Sequence, residues 1–279
     1  MSASRYQAPI SLVIMLMVLP TLSSAQRIEQ AQQIWSADVI KARGQPVIPL
    51  FDGWFTNADG THSLCYGYFN LNSEQALDIP QGEGNRLSDD RFSAMLPTYF
   101  EPVPPRYRHR FCVFTVQVPA DFGRDEKIVW SLTSAGETLS VPGHIMPAFV
   151  LDEPASDGRG DIAPAVRLSA TGPAVRGRVG ITAEERVHGW VGEPVTFDVW
   201  VEHPDDTVWL GWAKHSGPGE VVFQNAEFET ELNGEPLSAT AVFSTPGDYV
   251  IRMQTIDDTA AFEFYCCHTN AYFNVTIRD

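Results

Sequence analysis

The most constraining stretch of this sequence is residues 239–258, where two alternating runs flank the pair Pro246-Gly247. Side chains alternate from Thr240 to Phe243 before the pair and from Tyr249 to Gln254 after it. A period of two is typical of β-strands that bury one face, and Pro-Gly favours a tight change of direction. The stretch therefore predicts two strands joined by a corner.

Further residues carry a resemblance to a known fold. Tyr249, just past the bend, is at the "tyrosine corner" position of immunoglobulin-like sandwiches, and Trp212 stands where such folds place a core tryptophan. The other matching pieces are Gly192–Phe197, Gly217–Gly219, Thr245–Tyr249, Asp257 and the strand patterns 195–201 and 271–277. On these residues, the segment 191–277 resembles PKD-type or Ig-like β-sandwich domains. That resemblance implies a fold and no particular activity, because such modules host many unrelated roles.

The chain begins with the features of a secretory signal peptide. Arg5 precedes an apolar run, Ile10–Leu19, and then the small-residue stretch Ser23–Ala25. This order predicts cleavage after Ala25, and ten apolar residues are too few to span a bilayer. We therefore expect a secreted or periplasmic protein that does not span the membrane.

The remaining sequence divides into two strand-rich blocks. Asn57–Gly60 between apolar runs predicts a hairpin, and Cys112, Phe114, Val116 and Val118 share one strand face. The fold class expected is all-β, two tandem β-sandwich domains with the second Ig-like or PKD-like. The predicted ranges are signal peptide 1–25, N-terminal arm 26–46, first β-sandwich 47–150, linker 151–180 and second β-sandwich 181–279. The whole chain resembles uncharacterised secreted bacterial proteins with this two-part layout, which implies no activity.

Charge narrows the class of partner. Residues 151–279 carry 21 Asp and Glu against 8 Lys and Arg, whereas residues 26–150 carry 14 against 10. A domain with this much negative charge repels the phosphate backbone of nucleic acids. Nucleic acid is therefore not expected as a partner. The charge is explained by solubility or by cation binding. A local basic run, residues 106–110, either is solvated or docks the acidic second domain.

Four cysteines in an exported chain indicate disulfides. Cys65 and Cys112 both lie in the first predicted sandwich, so their pairing needs no contact between domains; the alternative is that both are buried free thiols. The adjacent Cys266 and Cys267 leave three arrangements open. They form a strained vicinal disulfide, pair elsewhere or leave one thiol unpaired, or bind copper or zinc together with His268.

The Ig-like fold predicts which polar residues meet. Its B–C, D–E and F–G loops gather at one end, and here they correspond to 203–206, 233–235 and 257–268. Carboxylates on converging loops suit Ca²⁺, while the alternative is ordinary turn chemistry. The candidate ligand residues are Asp205, Asp206, Glu235, Asp257 and Asp258, with His203 and His268 as further metal candidates.

No enzyme motif is present in the sequence. It contains no nucleophile elbow, no His-Glu-x-x-His and no phosphate loop. Four aromatic residues are expected to point outward: Trp200, Trp209, Tyr66 and Tyr68. They either offer a surface to a glycan or protein partner or are buried against the linker or the other domain. We expect a non-catalytic recognition or assembly module with no cofactor; periplasmic copper or zinc handling and an enzyme of unrecognised type are the alternatives.

Overall fold

The computed structural model describes residues 41–92, 95–103, 109–151, 162–257 and 267–279. These residues are almost entirely strands and connecting loops, with one 3-10 turn at Pro147–Phe149. The predicted all-β class is confirmed. The predicted signal peptide and most of the N-terminal arm lie outside the described residues.

Among the described residues, the first sandwich is built from eight strands in two main sheets. The strands are β1 (Val47–Thr56), β2 (His62–Asn70), β3 (Leu77–Asp78), β4 (Asn85–Leu87), β5 (Tyr99–Phe100), β6 (Arg110–Val118), β7 (Ile128–Ser134) and β8 (Glu137–Gly143). One sheet has the order β1-β2-β6, the other β4-β7-β8, and β3 pairs with β5.

Alternation in the sequence decides which side chains of the first sandwich are buried. Every second residue of β7 is buried, and Trp130 at its centre is fully enclosed and donates its Nε1 hydrogen bond to Asn85 Oδ1 at 3.0 Å. The predicted face of β6 is confirmed for Phe114, Val116 and Val118, which are buried in the core between the sheets. Cys112 does not share that face, because β6 shifts register between Arg110 and Phe114, and it packs in a separate cluster with Phe55 and Cys65. The two sheets therefore enclose one aromatic-rich core.

The second sandwich contains ten strands within the ranges that the structure describes. They are β9 (Ala165–Arg167), β10 (Ile181–Thr182), β11 (Val187–Trp190), β12 (Pro194–Glu202), β13 (Thr207–Ser216), β14 (Val221–Gln224), β15 (Glu227–Glu231), β16 (Leu237–Phe243), β17 (Gly247–Asp257) and β18 (His268–Arg278). The larger sheet runs β10-β18-β17-β13-β15, with β11 also paired to β18, and the smaller sheet runs β14-β16-β12-β9.

The corner at Pro246-Gly247 organises this second sandwich as predicted. Gly247 has φ 146°, a backbone region that favours glycine. The hydroxyl of Tyr249 donates a hydrogen bond to the carbonyl oxygen of Thr245 at 2.6 Å. The predicted core residue Trp212 is 3% exposed and packs near Phe197. This arrangement is the tyrosine corner of an Ig-like sandwich.

The range predicted as a surface linker contains a strand. β9 lies within 151–180 and pairs with β12, with Trp200 opposite Arg167. Ala163 and Val166 are fully buried. The sheet of the second sandwich therefore begins before residue 181. The strand was not predicted because Ala165–Arg167 is short and the Pro, Gly and Asp residues around it show no periodicity.

The two sandwiches have separate apolar cores but form a single compact unit. One core is contributed by β12, β13, β16, β17 and β18, and the other by strands of the first sandwich. Residues Ile40–Asp279 form that unit. Among the described residues, no helix has the length and apolar character needed to cross a bilayer.

Candidate functional site

The exposed acidic residues of the predicted loop cluster take part in turns. The backbone N–H of Glu235 donates to Asn233 Oδ1 at 2.9 Å, and the N–H of Asp205 donates to His203 Nδ1 at 3.2 Å. Asp205, Asp206 and Glu235 are exposed. Local hydrogen bonds of this kind are typical of Asx-type turns.

His203 already uses both ring nitrogens. Its Nε2 lies 2.8 Å from the carbonyl oxygen of Ile162, and a carbonyl only accepts, so Nε2 carries the hydrogen. Its Nδ1 accepts the Asp205 N–H. Neither nitrogen is therefore presented to a metal.

Asp257 and His268 occupy enclosed positions at the strand ends. Asp257 ends β17 with 2% exposure, and His268 begins β18 with 1% exposure. The His268 ring meets the edge of Phe111, of the first sandwich, at 6.0 Å between centroids. Asp258 and Cys266 lie outside the described residues. Within the ranges described, no three His, Cys, Asp or Glu side chains form a group that could hold a metal, and the predicted Ca²⁺, copper or zinc site stays a prediction.

The cysteine prediction is confirmed for the first sandwich. Cys65 of β2 and Cys112 of β6 form a disulfide with 5.0 Å between their Cα atoms, and both are fully buried. Cys267 is also disulfide-bonded. A sulfur in a disulfide has no thiolate to offer a soft metal.

A buried carboxylate supports the backbone beside this disulfide. Cys112 has φ 45°, and its N–H donates to Asp52 Oδ2 at 2.7 Å. Asp52 Oδ1 lies 2.7 Å from His109 Nε2. Burial raises the pKa of Asp52, and the bond to His109 opposes that rise. These contacts lie at a bulge in β6, where Tyr66 is paired with Phe114 and Tyr68 with Arg110.

That bulge contacts the outer face of the larger sheet of the second sandwich. The Tyr272 hydroxyl donates to the carbonyl oxygen of Val113 at 3.1 Å, and Asn270 Nδ2 contacts that of Cys112 at 3.4 Å. Asn270 is fully buried and Tyr272 is 6% exposed. These contacts, together with those described next, form the junction between the sandwiches.

Lysine and histidine extend the junction at the end of β13. Lys214 Nζ donates to Asp78 Oδ1 at 2.9 Å and to the carbonyl oxygen of Gly219 at 2.6 Å. The same nitrogen lies 4.1 Å from the ring centre of Tyr99. The Lys214 side chain is 2% exposed, so its charge is enclosed by a carboxylate, a carbonyl and an aromatic face.

His215 ties the second sandwich to the segment before β5. Its Nε2 lies 2.7 Å from the carbonyl oxygen of Met95, and its own carbonyl accepts the Thr98 N–H at 2.8 Å. Burial, with a smaller effect of the Arg252 charge, lowers the pKa of His215 from 6.5 to about 3. The imidazole is therefore neutral at physiological pH.

Arginines and glutamates complete the junction. Arg110 pairs with Glu101 at 3.2 Å within the first sandwich and with Glu227 of the second at 3.7 Å. For Arg110, the basic run therefore docks the acidic domain, as one of the two predicted alternatives had it. Burial lowers the pKa of Arg252 and raises that of Glu101.

The aromatic candidates separate into two groups. Tyr66 and Tyr68 are buried in the first core with exposures of 0% and 3%, which rules out both as an exposed binding surface. Trp209 is half-buried, and its ring atoms lie 2.2–3.0 Å from where a Cβ on Gly211 would stand. The indole therefore lies along the sheet over Gly211, and a side chain at that position would require the indole to move. Trp200 is also half-buried.

The residues of the second sandwich that build the junction were not predicted from the sequence. Arg252, Asn270 and Tyr272 alternate with core residues and so have the pattern of an ordinary solvent-facing side of a strand. Only Lys214 and His215 interrupt the alternation, at a bulge where β13 and β17 slip in register. A polar pair at a strand end was the one available signal.

Comparison with family models and with curated protein sequences gave no match. Among solved structures, the D00-D0 domain of intimin is 11% identical with a TM-score of 0.28, covering 84% of this chain and all of that one. The Yersinia pseudotuberculosis adhesin InvE is 12% identical with a TM-score of 0.26, covering 85% of this chain and 59% of that one. Domains 4 and 5 of the S-layer protein SbsC give 11% and 0.23, covering 84% and 98%. Scores this low carry no argument about function.

Proposed function

We propose that this chain is an exported, non-catalytic recognition or assembly module that works as one rigid pair of β-sandwiches. The observation that carries the proposal is the junction. Interfaces between domains are ordinarily polar and permit relative motion, but here Lys214, His215 and Asn270 are at least 97% buried. Such burial fixes the orientation of both sandwiches, which suits a frame that displays binding loops.

Export is supported by the disulfide and by the leader-like start. Buried disulfides form and persist in oxidising compartments such as the periplasm or the cell exterior. Cys65 and Cys112 are joined in this way, and the sequence predicts cleavage after Ala25. The two features are independent, because one concerns the folded core and the other the first residues of the chain.

The surfaces that a partner meets are loops on this rigid frame. Asp205, Asp206 and Glu235 are exposed at connections of the second sandwich, and binding residues are often found on loops positioned by a rigid scaffold. We propose a protein or glycan partner with hydrogen-bond donors or positive charge. The acidic surface makes nucleic acid a poor partner.

The export half of the proposal is tested by fractionation. The full chain is expressed in a Gram-negative host, and the intact mass of the periplasmic protein is measured before and after thiol alkylation. We expect a chain that starts at Gln26 and does not react at Cys65 or Cys112. Leu16→Arg, which interrupts the apolar run, is the control and should retain the protein in the cytoplasm. Wild-type protein that stays cytoplasmic with reduced thiols would refute export.

The recognition half is tested on the mature protein. Glycan and envelope-protein arrays are probed with wild type and with the triple variant Asp205→Asn, Asp206→Asn and Glu235→Gln. Asp198→Asn on the smaller sheet serves as the matched control. We expect at least one glycan or protein on the arrays to bind the wild type and the Asp198→Asn control, and to bind the triple variant more weakly. Turnover of a substrate panel without any binding would contradict the non-catalytic assignment.

A further inference from the structure

The junction contains three buried polar atoms that are not partnered by other protein groups in the described part of the chain. They are Nη1 of Arg252, Nδ1 of His215 and Oδ1 of Asn270. The three residues are 6%, 2% and 0% exposed. A buried polar group without a hydrogen bond is destabilising, so such groups are nearly always satisfied by protein or by ordered water.

These residues share one face of the larger sheet of the second sandwich. Arg252 of β17 lies directly opposite Tyr272 of β18 and Ala213 of β13. Asn270 is two residues from Tyr272 and so projects to the same side. The His215 ring meets Tyr272 at 5.5 Å between centroids. Diagonal neighbours on a sheet are about 7–8 Å apart, within reach of an arginine side chain.

The contacts of each group fix what its remaining atom can do. His215 Nε2 faces the Met95 carbonyl and must carry the hydrogen, so Nδ1 is an acceptor. Asn270 Nδ2 donates to the carbonyl of Arg178 at 2.8 Å, which orients its Oδ1 as an acceptor too. Arg252 Nη1 can only donate. The face therefore presents one cationic donor and two neutral acceptors.

We propose that the junction encloses a water site centred on Arg252 Nη1. Water accepts from the guanidinium and donates to His215 Nδ1 or Asn270 Oδ1. A metal cation is repelled by Arg252, and an anion is repelled by the two acceptor lone pairs. Glu101 and Arg110, the charged groups of the first sandwich near this face, pair with one another. Buried waters with about three polar partners are a normal structural component.

With this site occupied, the junction between the sandwiches is hydrated. The sandwiches meet through hydrogen bonds and bound water, whereas each apolar core is closed by direct packing of side chains. Because all three unpartnered atoms belong to the second sandwich, the water stays bound to that sheet face while the first sandwich covers it.

The test is a crystal structure of the mature protein at about 1.5 Å, grown with bromide in the buffer. We expect a water peak about 2.7–3.2 Å from Arg252 Nη1 and from one acceptor. Bromide at that position, or no peak there, would overturn the proposal.

Magnetic relaxation dispersion of ¹⁷O water provides the measurement in solution. Arg252→Met removes the donor and should remove at least one long-lived water. Arg186→Met, at an arginine with an exposed partner, is the control and should change nothing. An unchanged count in a folded Arg252→Met variant would also overturn the proposal. If that variant fails to fold, the crystal structure of the wild type decides alone.

Discussion

His215 should make a contribution to the unfolding free energy that is lost in acid, and replacing it with glutamine should remove that contribution. Its pKa is about 3 in the folded protein and 6.5 ordinarily. The unfolded chain therefore binds a proton between these values that the folded protein does not. Stability from this group is complete above pH 6.5 and falls as the pH drops toward 3. At pH 5 the loss is about 2 kcal/mol relative to pH 8, at about 1.4 kcal/mol per pKa unit.

Glutamine can still donate from its amide to the Met95 carbonyl but does not titrate. Urea unfolding of wild type and His215→Gln at pH 8 and pH 5 measures the effect as a difference of differences. Asp52 and Glu101 act in the opposite direction, because burial raises the pKa of each, but both remain in both proteins and cancel. We expect the variant to gain about 2 kcal/mol on wild type between the two pH values.

The control for that measurement is His188→Gln, at an exposed histidine of β11. It should follow the pH dependence of the wild type. If the stability difference between wild type and His215→Gln is the same at pH 5 and pH 8, then His215 is not held neutral by burial. The assignment of its Nδ1 as an acceptor in the proposed water site would fail with it.

Four further variants probe the cores and the junction. Replacing Cys65 and Cys112 by alanine should lower the unfolding free energy by about 4 kcal/mol in urea, since the disulfide closes a separation of 47 residues; a loss below about 1 kcal/mol would contradict this. Tyr249→Phe removes one hydroxyl hydrogen bond and should cost about 1 kcal/mol in thermal unfolding, and an unchanged melting temperature would contradict that role. Lys214→Met should change stability by less than about 1 kcal/mol, whereas Asp78→Asn should cost about 2 kcal/mol by leaving the buried ammonium without its counter-charge. The reverse order in calorimetry would show that Lys214 is solvated.

Local patterns were sufficient wherever one strand face is buried and the other exposed. The strand pattern at 195–201 was read from alternation, and its residues Phe197 and Val199 are buried. The Cys65–Cys112 pair was predictable because both residues lie on strands of one sandwich. β9 was not predictable, since three residues among Pro, Gly and Asp give no period, and its place in the sheet depends on pairing with β12.

The junction marks the limit of such reasoning. Arg252 and Asn270 occupy outward positions in a period-two pattern, which normally means contact with solvent. Their burial depends on the first sandwich covering that face. Alternation along one strand contains no information about a second layer packed on its polar side.

The sequence alone determined that this protein is built from β-strands and that a Pro-Gly corner with Tyr249 joins two of them. It also indicated disulfides and favoured the pair Cys65–Cys112, which the structure then showed to be bonded. Each of these depends on residues near in sequence or on a common strand pattern. The tertiary structure alone decided that a polar sheet face is buried and that Lys214 and His215 lock the sandwiches together. Those facts arise from contacts between residues more than a hundred positions apart, where the desolvation of charged and polar groups depends on what covers them.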